Sequence, residues 1–225
     1  MLTFATAGQY LGDAGDFLLI NRFARRTGWL HGLMTGYASY GLVLFVLLLL
    51  AGWWLARARR DPRAMAVAVW AALGTLVAVG LNQPIVHAVA EQRPYASIPH
   101  VLLLVDRTAD YAFASDHATM AGAVAAGLCY VNRRLGVIAW VAAVLLAFSR
   151  VYVGAHYPHD VAAGLALGAA VVVLGQLVAQ PLLTWVITRL VRTPLRPLFA
   201  ASPPADTGPG RPDGCGVTNT SDIAK

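Results

Sequence analysis

The sequence predicts an all-α, polytopic membrane bundle of about five transmembrane helices, preceded by a helix lying at the membrane interface. Three observations lead there. Hydrophobic residues make up 58% of the chain and charged residues only 12%, about half the ~25% charged share of a soluble domain. The apolar residues gather in long runs, so the bilayer rather than water is the solvent they fit. The basic residues, nearly all arginine with Lys225 the sole lysine, sit at the ends of those runs. Such placement serves topology. A net charge of +6 arranged this way therefore argues for membrane lipids as partners and against nucleic acid.

Each segment has its own reason. Residues 1–36 form an N-terminal amphipathic interfacial segment, because Phe17 to Leu33 mixes apolar residues with Arg22, Arg25 and Arg26. The start lacks a basic region followed by an apolar run, so no cleavable signal peptide is expected. Residues 37–192 form the membrane domain, with apolar stretches at about 37–56, 64–81, 117–131, 135–148 and 158–178. The first, second and fifth approach the ~20 residues that cross the hydrocarbon core. The third and fourth are shorter, a length that burial among neighbouring helices makes tolerable. Between the second and third lies a long loop, 82–116, with Pro84, Pro94 and Pro99; IVHAVAEQ within it has the pattern of a short helix. PLLTWVITRLVR continues the helical pattern after the fifth stretch. Residues 193–225, rich in Pro, Gly, Ser and Thr, are expected to form a disordered cytoplasmic tail. Cys129 and Cys215 suggest neither a disulfide nor a metal cluster.

Five spans put the termini on opposite sides. Arg57, Arg59, Arg60, Arg63, Arg133, Arg134 and the C-terminal arginines share the richer side, which is expected to be cytoplasmic. The 82–116 loop and the turn near Arg150 then face outward together. That face carries nearly all the candidate chemistry: Arg93 in EQRPY, Ser115 and His117 in FASDHATM, and Arg150, His156 and Asp160 in SRVYVGAHYPHD. Arginine binds phosphoryl oxygens through planar paired hydrogen bonds. Helix N-termini add unpaired N–H groups, and Ser115 and Pro158 suit the starts of the third and fifth helices. His156 precedes Asp160 by one helical turn, so the carboxylate can hold one ring nitrogen while the other attacks phosphorus. His117 is placed to protonate the departing oxygen, and Arg93 and Arg150 to steady the transition state.

Ser149-Arg150, five residues, His156, three residues and Asp160 resemble the third signature of the type 2 phosphatidic acid phosphatase family. Ser115-Asp116-His117 resembles its second, Pro-Ser-Gly-His, with Asp for Gly and Ala114 for Pro. Arg93-Pro94 resembles the end of its first. The Ser-Asp-His form looks like the bacterial undecaprenyl pyrophosphate phosphatase branch. The resemblance covers about residues 82–168. It implies a lipid phosphate or polyprenyl diphosphate substrate and no metal or other cofactor. It further implies a phosphohistidine on His156 oriented by Asp160, His117 as general acid, and phosphate binding by Arg93, Ser115 and Arg150. A bacterial plasma membrane with an extracytoplasmic active site is the expected location. One position departs: the family's lysine falls on Val86, and the neighbouring His87 is the candidate phosphate contact in its place. Phosphatidate or phosphatidylglycerophosphate as substrate, and a non-catalytic lipid-binding or transport relative, are the alternatives.

Asp116, Glu91 and Asp110 read as solvated loop charges, and His159 as a surface or supporting residue. Trp53, Trp54, Tyr37 and Tyr40 read as aromatic anchors at the ends of a span.

Overall fold

A computed structural model describes residues 4–201, with side chains from residue 14 onward. The described residues form helices joined by turns and one long loop. They are α1 (Phe4–Arg26), α2 (His31–Tyr40), α3 (Leu42–Arg59), α4 (Pro62–Val89), α5 (Pro94–Ser97), α6 (Asp116–Val131), α7 (Arg133–Tyr152), α8 (Pro158–Leu190) and α9 (Arg196–Phe199). Four of them, α3, α4, α7 and α8, are long and apolar enough to cross a membrane. The fifth expected span, α6, has 16 residues. It reaches only ~24 Å at 1.5 Å per residue, short of a ~30 Å hydrocarbon core.

Burial resolves the mismatch. α6 sits at the centre against α4, α7 and α8, with Ala121 to Leu128 buried without interruption. Outward faces of the surrounding helices remain apolar, as Val46, Leu47 and Leu50 on α3, Val141 and Val144 on α7, and Leu177 and Val178 on α8 show. Lipid can cover those faces, whereas water would leave a large apolar patch. Arg57 lies over the rings of Trp53 and Trp54, and Arg189 over Trp185, an arrangement suited to one membrane interface.

Several segments differ from the sequence expectation. α4 runs on through Val89 with Pro84 inside it, so the loop begins after residue 89 rather than at 82. A proline costs a helix one hydrogen bond and a steric adjustment, which neighbouring helices make tolerable in a membrane bundle. Likewise α8 continues through Pro181 to Leu190, and PLLTWVITRLVR is its extension. α7 is longer than its apolar run because Ser149 and Arg150 belong to its last turn. The first stretch is divided at Gly41 into α2 and α3. α1 buries Phe17, Asn21 and Ala24; Asn21 Nδ2 donates to the Leu102 carbonyl at 2.8 Å, and its Oδ1 accepts from the Leu102 N–H. The expected tail begins with folded chain: α9 returns to α3, where Arg57 donates to the Pro197 carbonyl at 2.6 Å. Residues 202–225 lie outside the described residues.

Helix crossings are tightest between α6 and α8. A Cβ on Gly164 would stand 2.7 Å from the Ser115 carbonyl, and Gly168 meets the Thr119 backbone more closely still. Small residues of this kind let membrane helices approach backbone to backbone. As a result the Ser115 N–H donates to the Asp160 carbonyl at 3.2 Å, joining the starts of α6 and α8. Gly168→Leu should force these helices apart at about 1–3 kcal/mol, the usual range for an overpacked core. A lower thermal midpoint of the detergent-solubilised variant is the expected result.

Candidate active site

Backbone hydrogen bonds tie the loop between α5 and α6 to the α7–α8 turn and to the α4–α5 connection. Leu104 N–H donates to the Val153 carbonyl at 3.0 Å, and Ala112 N–H to the Glu91 carbonyl at 2.8 Å. Gly154 adopts φ +84°, and a Cβ there would meet the Leu102 carbonyl at 2.5 Å. Only glycine suits both the left-handed backbone and the close approach. The turn therefore delivers His156 beneath the loop.

Together these elements enclose a cavity of about 440 Å³ whose lining includes His87, Arg93, Asp110, Asp116, His117, Arg150 and His156. Of the residues expected from sequence, Arg93, His117, Arg150, His156 and His87 thus share one space. Ser115 and Asp160 do not line it. Both are fully buried behind it, Ser115 at the N-cap of α6 and Asp160 in the first turn of α8. The Ser115 hydroxyl makes no capping bond, and its Oγ is buried without a hydrogen-bond partner among the described residues.

His156 is held at both ring nitrogens. Nδ1 lies 2.9 Å from the Ala112 carbonyl and 3.5 Å from Asp160 Oδ2. Both are acceptors, so Nδ1 carries the proton and the Nε2 lone pair faces the cavity. The carbonyl is nearer than the carboxylate, a partner for which the sequence offered no signal. Asp160 Oδ2 also accepts the Tyr157 N–H at 2.8 Å. On the cavity side, Arg93 Nη1 stands 3.3 Å from Nε2.

The two arginines differ in how far they are satisfied. Arg93 is buried and donates to the Ala155 carbonyl at 3.1 Å, the Asp110 carbonyl at 3.2 Å and the Asp110 carboxylate at 2.9 Å. Arg150 donates to the Ala38 carbonyl at 3.2 Å, while its Nε is buried with no hydrogen-bond partner among the described residues. An unmet guanidinium donor beside a polar cavity favours an anionic guest.

The loop acids prove to be engaged rather than merely solvated. Asp110 pairs with Arg93. Burial pushes its carboxyl up, but the Thr108 hydrogen bond and the Arg93 charge together hold it below the ordinary carboxylate range. Asp116 Oδ1 accepts from Asn82 Nδ2 at 2.7 Å and Gln83 Nε2 at 3.0 Å. Asn82 was legible as a polar residue in an apolar helix, had the helix been extended to include it. His87 is exposed, sits at the cavity wall and meets Tyr111 edge to face at 6.2 Å.

Chemically, the cavity combines two guanidinium groups with an imidazole whose free lone pair faces the same space. Burial pushes the His156 pKa well below 6.5, aided by the charges of Arg150 and Arg93. The ring is therefore neutral at pH 7. Because the folded value lies below the unfolded one, the unfolded chain binds more protons in that interval, and stability falls as pH drops below about 6.5. In histidine-labelled protein, His156 should show no titration by NMR across pH 6–7. Arg150→Gln, which removes a neighbouring positive charge, should move its pKa upward.

Comparisons with known proteins agree with this architecture. The description "PAP2 superfamily" matches residues 67–182. The chain is 29% identical over 159 residues to undecaprenyl-diphosphatase BcrC of Bacillus subtilis, covering 70% of this chain and 77% of that protein. It is 38% identical over 102 residues to decaprenylphosphoryl-5-phosphoribose phosphatase of Mycobacterium tuberculosis, covering 45% of this chain and 55% of that one. Its fold is similar to the crystal structure of a transmembrane PAP2 type phosphatidylglycerolphosphate phosphatase from Bacillus subtilis. That match has a TM-score of 0.54 and 22% identity, and covers 85% of this chain and 88% of that chain.

Proposed function

The chain belongs to the PAP2 superfamily, as a multi-pass membrane protein and a phosphoric ester hydrolase, and from that premise we propose that it hydrolyses a polyprenyl diphosphate or phosphate through a phosphohistidine on His156. The observation that carries the reading is the His156 ring itself: Nδ1 held by two acceptors, Nε2 turned to a cavity that also exposes two arginines. The polyprenyl chain comes from the relatives, which are named for undecaprenyl and decaprenyl substrates.

In this mechanism Arg93 and Arg150 bind the phosphoryl oxygens, and Arg93 releases His156 Nε2 as it turns to the substrate. Nε2 forms the N–P bond while the P–O bond to the leaving group breaks. His117, which takes up a proton as the phosphate's negative charge settles beside it, gives that proton to the oxygen. The phosphorylated ring keeps its Nδ1 proton, and Asp160 and the Ala112 carbonyl stabilise the resulting charge. Water then attacks phosphorus, His117 takes its proton back, and the N–P bond breaks to restore neutral His156. The N-terminus of α6 adds its dipole to phosphate binding, with Ser115 behind the cavity joining that helix start to α8 through its N–H. His87 reaches the phosphate from the wall where the family lysine is absent. The donors that these steps call on are all side chains and backbone of this protein, and none of the steps requires a metal.

Purified protein assayed on undecaprenyl diphosphate, with phosphatidate and phosphatidylglycerophosphate as comparison substrates, provides the test. Phosphate release should survive excess chelator and fall by at least about a thousandfold in His156→Ala, as expected for loss of a nucleophile. Activity that disappears with chelator alone would overturn the mechanism, and turnover confined to a glycerophospholipid would overturn the substrate.

The location proposed is the plasma membrane of a bacterium, with the cavity on the extracytoplasmic side. The helix ends divide as that requires. α1 joins the cavity end, where Arg25 donates to the His100 carbonyl, and α3 joins α9 at the opposite end. The arginine-richer end, with Arg57, Arg59, Arg60 and Arg63, is then cytoplasmic. A cysteine introduced at Arg107 should react with an impermeant maleimide added outside intact cells. Labelling only after the cytoplasmic side is opened would reverse the orientation.

A further inference from the structure

Outside the cavity, Glu91 and His159, two residues that the proposed mechanism does not use, form a polar cluster with Asp160, which it does. Glu91 is buried, and its Oε2 stands 2.9 Å from His159 Nε2. The same nitrogen lies 3.2 Å from Asp160 Oδ1. The ring nitrogen is thus hydrogen-bonded to Glu91 and lies at ion-pair distance from Asp160. The His159 ring is stacked between Phe113 (5.6 Å, 28°) and Tyr157 (5.7 Å, 16°), the residues that follow Ala112 and His156 in the chain.

Both acceptors facing His156 Nδ1 lead back to this pair. The Ala112 carbonyl is placed by the Ala112 N–H donating to the Glu91 carbonyl. His159 Nε2 stands beside Oδ1 of the Asp160 carboxylate while Oδ2 faces Nδ1. A buried carboxylate is costly unless a donor holds it; His159 supplies that donor to Glu91 and is thereby set beside Asp160. Neither Glu91 nor His159 lines the cavity.

Building on the proposed role of His156, we infer that Glu91 and His159 are positioning residues that hold Ala112 and Asp160 against Nδ1 and so fix the tautomer and aim of Nε2. A nucleophile misaimed by ~1 Å loses up to about a hundredfold in rate. Substrate binding depends on other side chains, so the effect falls on kcat rather than KM.

Three variants test this. His159→Phe keeps the stacked ring and removes the N–H; His159→Gln keeps a donor; Glu91→Gln removes the charge. Expected results are a fall of about ten- to a hundredfold in kcat for His159→Phe and Glu91→Gln, with KM within about twofold. His159→Gln should recover most of the loss. In imidazole ¹⁵N NMR without substrate, His156 should be one Nδ1–H tautomer in the wild type, mixed in His159→Phe and single again in His159→Gln. This readout stands even if the substrate assignment fails, since it needs no turnover. Wild-type behaviour of His159→Phe in kcat and tautomer, or equal losses in the Phe and Gln variants, would overturn the inference. So would a loss of wild-type activity on chelation that zinc restores, which makes the cluster a metal site. If His159→Phe does not fold, Glu91→Gln decides: an unchanged kcat and tautomer there overturn it.

Discussion

Everything at the cavity depends on how closely α6 and α8 approach. Gly164 and Gly168 bring the backbones together until the first turns of the two helices exchange a hydrogen bond, Ser115 N–H to the Asp160 carbonyl. His117 stands on one helix and Asp160 on the other. His156 enters the turn just before α8. A side chain larger than hydrogen at either glycine separates these groups before it touches any of them. The packing of small residues thus sets the distance between the halves of the site.

Charge is the second constraint. Placing Arg93 and Arg150 out of water is expensive unless they meet acceptors, and the fold meets the two to different extents. Arg93 is tied to Asp110, the Ala155 carbonyl and His156. Arg150 donates to the Ala38 carbonyl, and its Nε has no hydrogen-bond partner among the described residues. Arg93 is consequently preorganised but occupied, whereas Arg150 offers an immediate gain to an incoming anion. The same two charges, with burial, keep His156 unprotonated. In the proposed reaction, one pair of arginines thus keeps the ring ready for attack and attracts the group to be attacked.

Legibility in the sequence followed the physics of each part. The membrane bundle was readable because apolar runs and arginine flanks report directly on the bilayer. Arg93, His117, Arg150 and His156 were readable because their residue types and spacing are chemical in themselves. The extent of α4 and α8 was not, since Pro84 and Pro181 are helix breakers in isolation and only neighbouring helices make them tolerable. The Ala112 carbonyl lay beyond reach for another reason: every residue has a carbonyl, and only the folded loop shows which one faces His156. Glu91 and His159 looked like separate surface groups because they are distant in sequence and meet only once α4, the loop and α8 have packed.

The absent lysine is best understood through the same geometry. At its position Val86 is buried against the cavity wall, and Asn82 and Gln83, one turn earlier on α4, donate to Asp116 instead of reaching the cavity's centre. A lysine here would add a third cation near Arg93 and Arg150 and raise the cost of burying all three before substrate arrives. Without it, the cavity relies on the unmet donor of Arg150 and on the exposed ring of His87 at its wall. Under the proposed reading, a substrate bearing two phosphates engages both regions at once, the reacting phosphoryl group among the arginines and the second phosphate toward His87. The loss of one fixed charge thus makes the position of His87 more consequential for how a diphosphate is seated.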